Sequence, residues 1–280
     1  MRPEIRRLGK GLILLDRKTT SWIRHRLPLL GPSFFADSGF RKVMKRIAPA
    51  CRGMLVDVGC GQMRFRSHFA NVRYLGMDFP ETRLEMNYSA TPHVWGDAHA
   101  LPFKEGAVDW ILASEVLEHL NDPAVALRDM HRVLNRRGGL ILTTPFFYQI
   151  HSPIHDFRRF TRHGLEHLLS STGFDVEEIV PISGYVSTLW ARFGNWLHAY
   201  AWESMGRLGL VVRLFIRPLT YGVCLIGNIG TLVLDRALPN DRICSNYVTV
   251  AKKRMEHRPA CKRHRRVQPS HHLYGAKKSL

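Results

Sequence analysis

From about residue 53 the chain alternates short apolar runs with stretches of helical periodicity. The runs are GMLVDVG, VRYLGMD, HVWGDA, VDWILAS, GLILTTP and FDVEEIV. Short apolar runs bounded by turn residues predict buried strands, and strands alternating with helices predict a mostly parallel sheet with crossover helices. The segment DPAVALRDMHRVLNRRGG carries helix punctuation. Asp122 suits the cap, Pro123 the first helical position and Gly138 the stop. Val125, Leu127, Met130, Val133 and Leu134 supply the apolar face of that predicted helix. Residues 1–50 are amphipathic at helical spacing, with breaks near Pro28 and Pro32.

After Ile182 the alternation stops, and residues 184–235 are apolar and aromatic with few breakers. One more strand follows in SNYVTVAKK, from Asn246 to Ala251. A late strand after a long helical stretch predicts an insertion within one domain. The expected division is a basic helical extension over 1–50, a domain over 51–253 with an apolar helical insertion at 184–240, and a basic, disordered tail over 254–280. There is no internal repeat.

Charge changes this picture at the two ends. The chain has 280 residues, room for one large domain, and a net charge of +18. Residues 1–52 hold 13 Lys/Arg against 3 Asp/Glu, and residues 252–280 hold 10 against 1. The middle of the chain is nearly neutral, so two basic arms flank it. Such arms suit anionic lipid headgroups or nucleic acid. The five cysteines are scattered and form no CxxC pair, which argues against a disulfide framework or a zinc site and for a reducing compartment. The apolar stretch in LGKGLILLDRK is too short for a secretory signal.

The candidate chemistry begins at VDVGCGQMRF, where Gly59 and Gly61 follow a predicted strand. Such a turn lets backbone approach a ligand closely, although two glycines alone are a weak signal. Three acids sharpen it. Asp57 precedes the glycines, where a carboxylate would repel a pyrophosphate but tolerate a cationic ligand. Asp78 ends the next strand, 21 residues later, where an acid accepts hydrogen bonds from ribose hydroxyls. Asp97 ends the third run, where an acid meets an adenine amino group.

With VDVGCG, GMD, GDAHALPF, DWILASEVLEHLNDP and HRVLNRRGGLILTTP in order, the chain resembles the class I S-adenosylmethionine-dependent methyltransferases, of the group called methyltransferase type 11. The patterns GCGQMRFR and HSPIHDFRRFTRHGL resemble a narrower bacterial subgroup, often found in cell-surface polysaccharide or glycolipid pathways. The resemblance covers roughly residues 53–180. It implies an α/β, Rossmann-like, seven-stranded, mostly parallel sheet with an antiparallel last strand, flanked by helices. It also implies S-adenosylmethionine as cofactor, with Asp57, Gly59 and Gly61 at its methionine part, Asp78 at the ribose and Asp97 and Ala98 at the adenine. Glu115 would lie where cofactor and acceptor meet. Met63 stands where a third glycine is usual.

Ligands of open α/β sheets sit beyond the carboxyl ends of the strands. His119, and His155 or Asp156, are therefore candidate proton acceptors. His151, Arg158 and Arg159 are candidate acceptor-binding residues, the arginines for a phosphate or carboxylate. Pro153 disfavours a helix that would bring His151 and His155 to one metal, so none is expected. No [DN]PP[YF] turn and no Pro-Cys pair occurs, which removes two classes of DNA methyltransferase. RNA stays open through the arms alone.

Pro218 to Leu234 is 17 uncharged residues, borderline for a membrane span. A returning strand excludes a single crossing. An interfacial or re-entrant hairpin, or a cap packed on the sheet, remains. Trp190, Trp196, Tyr200 and Trp202 suit either place. The expectation is a cytoplasmic methyltransferase, peripheral at the inner membrane face, acting on oxygen of a sugar, glycolipid or small molecule. An RNA methyltransferase and a non-catalytic cofactor-binding membrane adaptor are the alternatives.

Overall fold

The computed structural model describes residues 26–82, 90–150, 155–203, 210–240 and 242–255. The first 25 residues and the tail from residue 256 lie outside them, with Cys261.

Seven strands form one sheet: β1 Gly53–Val58, β2 Val72–Asp78, β3 Val94–Trp95, β4 Val108–Ser114, β5 Leu134–Pro145, β6 Phe174–Ile182 and β7 Asn246–Lys253. Their order is β3-β2-β1-β4-β5-β7-β6. The first five pair in parallel, while β7 slots between β5 and β6 antiparallel to both. The sheet is therefore mostly parallel with an antiparallel last strand, as the resemblance implied. Pro145, Asn246 and Ile182 stand in register across three strands. One edge thus gathers the carboxyl ends of β1 to β6 and the start of β7, and function is expected there.

Side chains that alternate along each strand serve two cores. Leu55, Leu112, Ile141 and Val248 meet the buried stripe Phe40, Val43, Met44 and Ile47 of helix α1, Phe34–Ile47. Val56, Ile111, Leu140 and Leu142 face the other way, toward α2, Pro123–Val133, and α3, Arg162–Ser171. Asp122 caps α2 as expected, its Oδ1 accepting from the amides of Ala124 at 3.0 Å and Val125 at 3.1 Å. The stop differs from expectation. The helix ends at Val133, and β5 begins at once at Leu134, so Gly138 sits within the strand. The next glycine explains why: a Cβ on Gly139 would lie 2.2 Å from the Trp110 ring, so the pair GG serves strand packing. Val125, expected on the apolar face, is exposed.

Two helices connect β6 to β7: α4, Tyr185–Glu203, and α5, Leu210–Ala237, which runs through Pro218. They pack closely because Gly227 leaves room for Trp190; a Cβ there would lie 1.8 Å from the indole. Buried Asn228 ties three segments together. Its Nδ2 donates to the carbonyls of Leu29 at 2.7 Å and Gly31 at 3.1 Å, and its Oδ1 accepts from Trp190 Nε1 at 3.0 Å. The hairpin is amphipathic in reverse. Its buried faces carry Ser187, Thr188, Thr220, Asn228 and Thr231 beside Ala191, Tyr221 and Cys224, while Phe193, Trp196, Leu219, Ile226, Ile229 and Val233 are exposed. Among the described residues, no helix is long and apolar enough to cross a membrane. Cys51, Cys60, Cys224 and Cys244 are buried free thiols.

Candidate cofactor and acceptor site

The loop after β1 is held in an uncommon shape. Gly59, Gly61 and Met63 have φ of 66°, 46° and 53°, three left-handed residues in five. Glycine is needed at 59 on two counts, since a Cβ there would also lie 2.5 Å from Val116 Cγ2. Met63 bears the strain of the same conformation as a non-glycine. Its amide donates to the Cys60 carbonyl at 2.6 Å, and its Cε lies where a Cβ on Gly76 would meet it at 3.0 Å. Met63 is thus a wedge between loop and β2. Arg64 pairs with Asp37 of α1 and covers the rings of Phe40 at 5.2 Å and Phe65 at 5.1 Å. Arg66 lies over Tyr74 at 5.7 Å. The two arginines therefore brace the loop against α1 and β2.

Acids ring this loop. Asp57 is buried and accepts from the Tyr74 hydroxyl. Burial pushes its carboxyl up to about 7; the Tyr74 hydrogen bond pulls it down and the Asp78 charge pushes it up. Asp78 accepts from the Gly61 amide at 2.7 Å and the Phe79 amide at 2.8 Å, yet burial still holds it above the ordinary carboxylate range. Glu115 follows β4 with a left-handed φ of 54°. Its Oε1 accepts from Thr143 Oγ1 at 2.8 Å and its Oε2 from Asn246 Nδ2 at 3.0 Å, and burial raises it too. Asp97 lies two residues past β3 and accepts from the His99 amide at 2.8 Å. Burial raises its pKa, but the His99 backbone and side-chain bonds outweigh that and hold it low. Ala98 packs on the core beside it.

These residues fit the implied cofactor. Three buried acids, each raised by burial, form a negative basin that a ligand with a positive sulfonium and ammonium relieves, whereas a pyrophosphate would deepen the conflict. Asp57, Gly59, Gly61, Asp78, Asp97, Ala98 and Glu115 would hold it. Such a cofactor supplies an activated methyl group, so alignment is the protein's main contribution.

The second predicted cluster comes together differently. His119 Nδ1 bonds the His155 carbonyl at 2.8 Å, and its Nε2 lies 3.7 Å from Glu118 Oε1. Glu118 is fully buried and raised well above its usual value by burial, then by Glu115. Asp156 is bound by both terminal nitrogens of Arg159, which also donates to the carbonyls of Tyr148 at 3.3 Å and Gln149 at 3.0 Å. Arg158 donates to the carbonyls of Leu120 and Asn121. The sequence expected these arginines to meet a ligand; here Arg158 clamps the loop after β5 onto the turn after β4, and Arg159 ties that loop to itself. An ion-paired Asp156 is a poor proton acceptor, which leaves His119, beside Glu118, and His155, whose ring lies 6.3 Å from that of Phe157, as the candidates. His151 lies outside the described residues. Among the described residues no group of three metal-ligating side chains occurs.

Sequence reasoning missed Tyr74, Thr143 and Asn246, which bond Asp57 and Glu115 from other strands, so no local motif announces them.

Residues 56–142 match the family described as methyltransferase domain. A probable S-adenosylmethionine-dependent methyltransferase of Mycolicibacterium smegmatis is 29% identical over 50% of this chain and 59% of its own length. A demethylmenaquinone methyltransferase of Staphylococcus haemolyticus is 32% identical over 42% of this chain and 57% of its own. An uncharacterized protein of a Streptomyces fradiae transposon is 29% identical over 46% and 45%. The chain spans about half the length of these curated relatives. The matched residues carry the end of β1, all of β2 and β4 and the glycine loop, and over them the chain is similar to S-adenosylmethionine-dependent methyltransferases.

Proposed function

We propose that the chain transfers a methyl group from S-adenosylmethionine to an oxygen of a sugar, glycolipid or small-molecule acceptor at the cytoplasmic face of a membrane. The buried acid basin of Asp57, Asp78 and Glu115 supports the cofactor part. The observation that carries the acceptor part is the reversed hairpin α4–α5. It stands at the strand edge that gathers the site, and it turns apolar side chains outward. A soluble wall would do the opposite, and large exposed apolar patches mark interaction surfaces.

In this reading Asp78 and the Gly61 amide fix the cofactor's ribose side. Glu115, locked by Thr143 and Asn246, shapes the border between cofactor and acceptor. His119 takes the acceptor proton, its ring oriented by the bond from Nδ1 to the His155 carbonyl.

The test is transfer of labelled methyl from S-adenosylmethionine into extracted membrane lipids and glycans, set beside total RNA and a no-acceptor control. Label in lipid or glycan is expected. Label in RNA alone would replace the acceptor, and no label with retained cofactor binding would favour a binding module. Asp78→Ala is expected to weaken cofactor binding about 100-fold or more by titration calorimetry, since it removes a charge-assisted acceptor and frees the loop.

A further inference from the structure

At the site's edge two side chains keep buried polar atoms without a hydrogen-bond partner among the described residues, Arg192 and Asn246, and their needs are opposite. Arg192 lies on α4, one turn beyond buried Thr188, whose hydroxyl meets Ser183 Oγ at 2.7 Å; Ser183 in turn bonds Ser245 Oγ at 3.1 Å. That chain of contacts leads from α4 to the start of β7. Its guanidinium stacks on the Tyr148 ring at 4.1 Å, in the loop after β5. Its Nε and Nη1 are buried and meet no acceptor. Burial lowers its pKa, and only Tyr148 works against that; no carboxylate does. The second group is Asn246, 2% exposed, at the first position of β7. Its Nδ2 is committed to Glu115, while its Oδ1 is buried without a donor.

A buried cation without an anion is costly, and so is an orphaned amide oxygen. Each persists where a ligand completes it. Arg159 and Arg158, the arginines nearest in sequence to the motif, are already spent on Asp156 and backbone carbonyls. Arg192 is different because what it meets is Tyr148, by ring and side-chain hydrogen bond, while its Nε and Nη1 still lack an acceptor.

We propose that Arg192 and Asn246 form the acceptor subsite, and that the acceptor is a hydroxylated anion: a phosphate or carboxylate oxygen meets Arg192, and a hydroxyl donates to Asn246 Oδ1. The hydroxyl then stands beside Glu115, where the cofactor's methyl end is expected. This rests on the methyltransferase reading and narrows its acceptor class. A phosphorylated polyol in solution and the phosphate of a lipid headgroup share this chemistry.

The experiment is calorimetry on the full chain saturated with S-adenosylhomocysteine, using sn-glycerol 3-phosphate, inorganic phosphate and glycerol as probes at constant ionic strength. Glycerol 3-phosphate is expected to bind more tightly than either fragment. Arg192→Gln is expected to lose about tenfold or more of the affinity for both phosphates, and Arg192→Lys part of it. Asn246→Ala is expected to bring glycerol 3-phosphate down to the level of inorganic phosphate. Vesicles of phosphatidic acid in phosphatidylcholine that compete with glycerol 3-phosphate assign the phosphate to a lipid; vesicles that do not compete assign it to a free metabolite. Failure of wild type to bind either phosphate at millimolar concentration would overturn the proposal, as would unchanged phosphate binding by Arg192→Gln. S-adenosylhomocysteine affinity, read in the same titrations, reports separately on the cofactor site. A structural role for Arg192 would shift melting temperature in every variant without this probe selectivity.

Discussion

Asp57 is where burial and charge decide the site's behaviour. An acid held at about 7 in the folded chain ionises at about 4 when unfolded. Between those values the folded chain binds the extra proton, so ligand-free stability falls as pH rises from 4 to 7. A cationic cofactor reverses the preference: it favours the carboxylate, so binding expels the proton. Cofactor affinity is therefore expected to rise with pH up to about 7, by as much as tenfold per unit, and then flatten. Asp57 and Asp78 push on each other, so the titration belongs to the pair. Calorimetry in two buffers of different ionisation enthalpy, between pH 5.5 and 7.5, measures the released proton directly. Proton-independent binding by wild type would remove Asp57 from the cofactor basin. Asp57→Asn is expected to abolish the proton release while leaving the Tyr74 contact able to form. Single residues of this kind were visible in the sequence because each acid ends a strand. Their partners were not. Tyr74, Thr143 and Asn246 belong to strands β2, β5 and β7, and only the register Asp57–Gly76 and Pro145–Asn246 brings their ends together.

Elements carry the next level of argument, and Asn228 is its test. One amide on α5 satisfies two carbonyls of the Leu29–Gly31 turn and the indole of α4. Truncating it leaves the Leu29 carbonyl and the Trp190 indole N–H without this partner, the Gly31 carbonyl keeping the Phe34 amide, so Asn228→Ala is expected to cost about 2–4 kcal/mol of stability. Urea denaturation measures the loss. Cofactor affinity of the folded fraction should stay within about twofold, because Asn228 touches no residue of the acid basin. A stability change below about 0.5 kcal/mol would mean that water replaces the amide and the hairpin is loosely held. The helical stretch itself was legible as an insertion between two strands, because composition changes abruptly after Ile182. Its orientation was not legible. Ser187, Thr188, Thr220 and Thr231 alternate with Leu, Ile and Phe at helical spacing, and the pattern alone does not say which stripe faces the protein. The same limit explains α2: capping by Asp122 and Pro123 is local and was readable, whereas Gly138, read as a stop, lies with Gly139 inside β5, where Gly139 leaves room for Trp110 of another strand. Arg64 and Arg66 show the reverse case, since their motif was plain while their use, bracing the glycine loop on α1 and β2, required the packed structure.

On the scale of the whole molecule, charge and apolar surface point the same way. The chain carries +18, concentrated toward its ends, and Asp235 of α5 is turned inward to the amides of Val186 and Ser187 at 3.2 and 3.3 Å. What faces out is Trp196, 56% exposed, and Ile226, 74% exposed, with Leu219 and Val233 on the same side of α5. Apolar burial and basic attraction add when such a surface meets an anionic bilayer, and each basic group near it contributes about 1 kcal/mol that salt screens away. The protein is therefore expected to sediment with vesicles containing phosphatidylglycerol at low ionic strength, and less so as salt rises. It should ignore vesicles of phosphatidylcholine alone. Trp196→Glu with Ile226→Glu is expected to reduce that binding about tenfold or more, while melting temperature and cofactor affinity hold, because neither side chain packs inward. The rival occupant of the same face is a second copy of the chain, helix against helix through Gly222 and Gly230, which have nothing within 4 Å of a Cβ. Sedimentation velocity separates the two. A stable dimer that the double variant dissolves, without any vesicle binding by wild type, would move this surface from lipid to self-association and leave the basic arms to seek another anion.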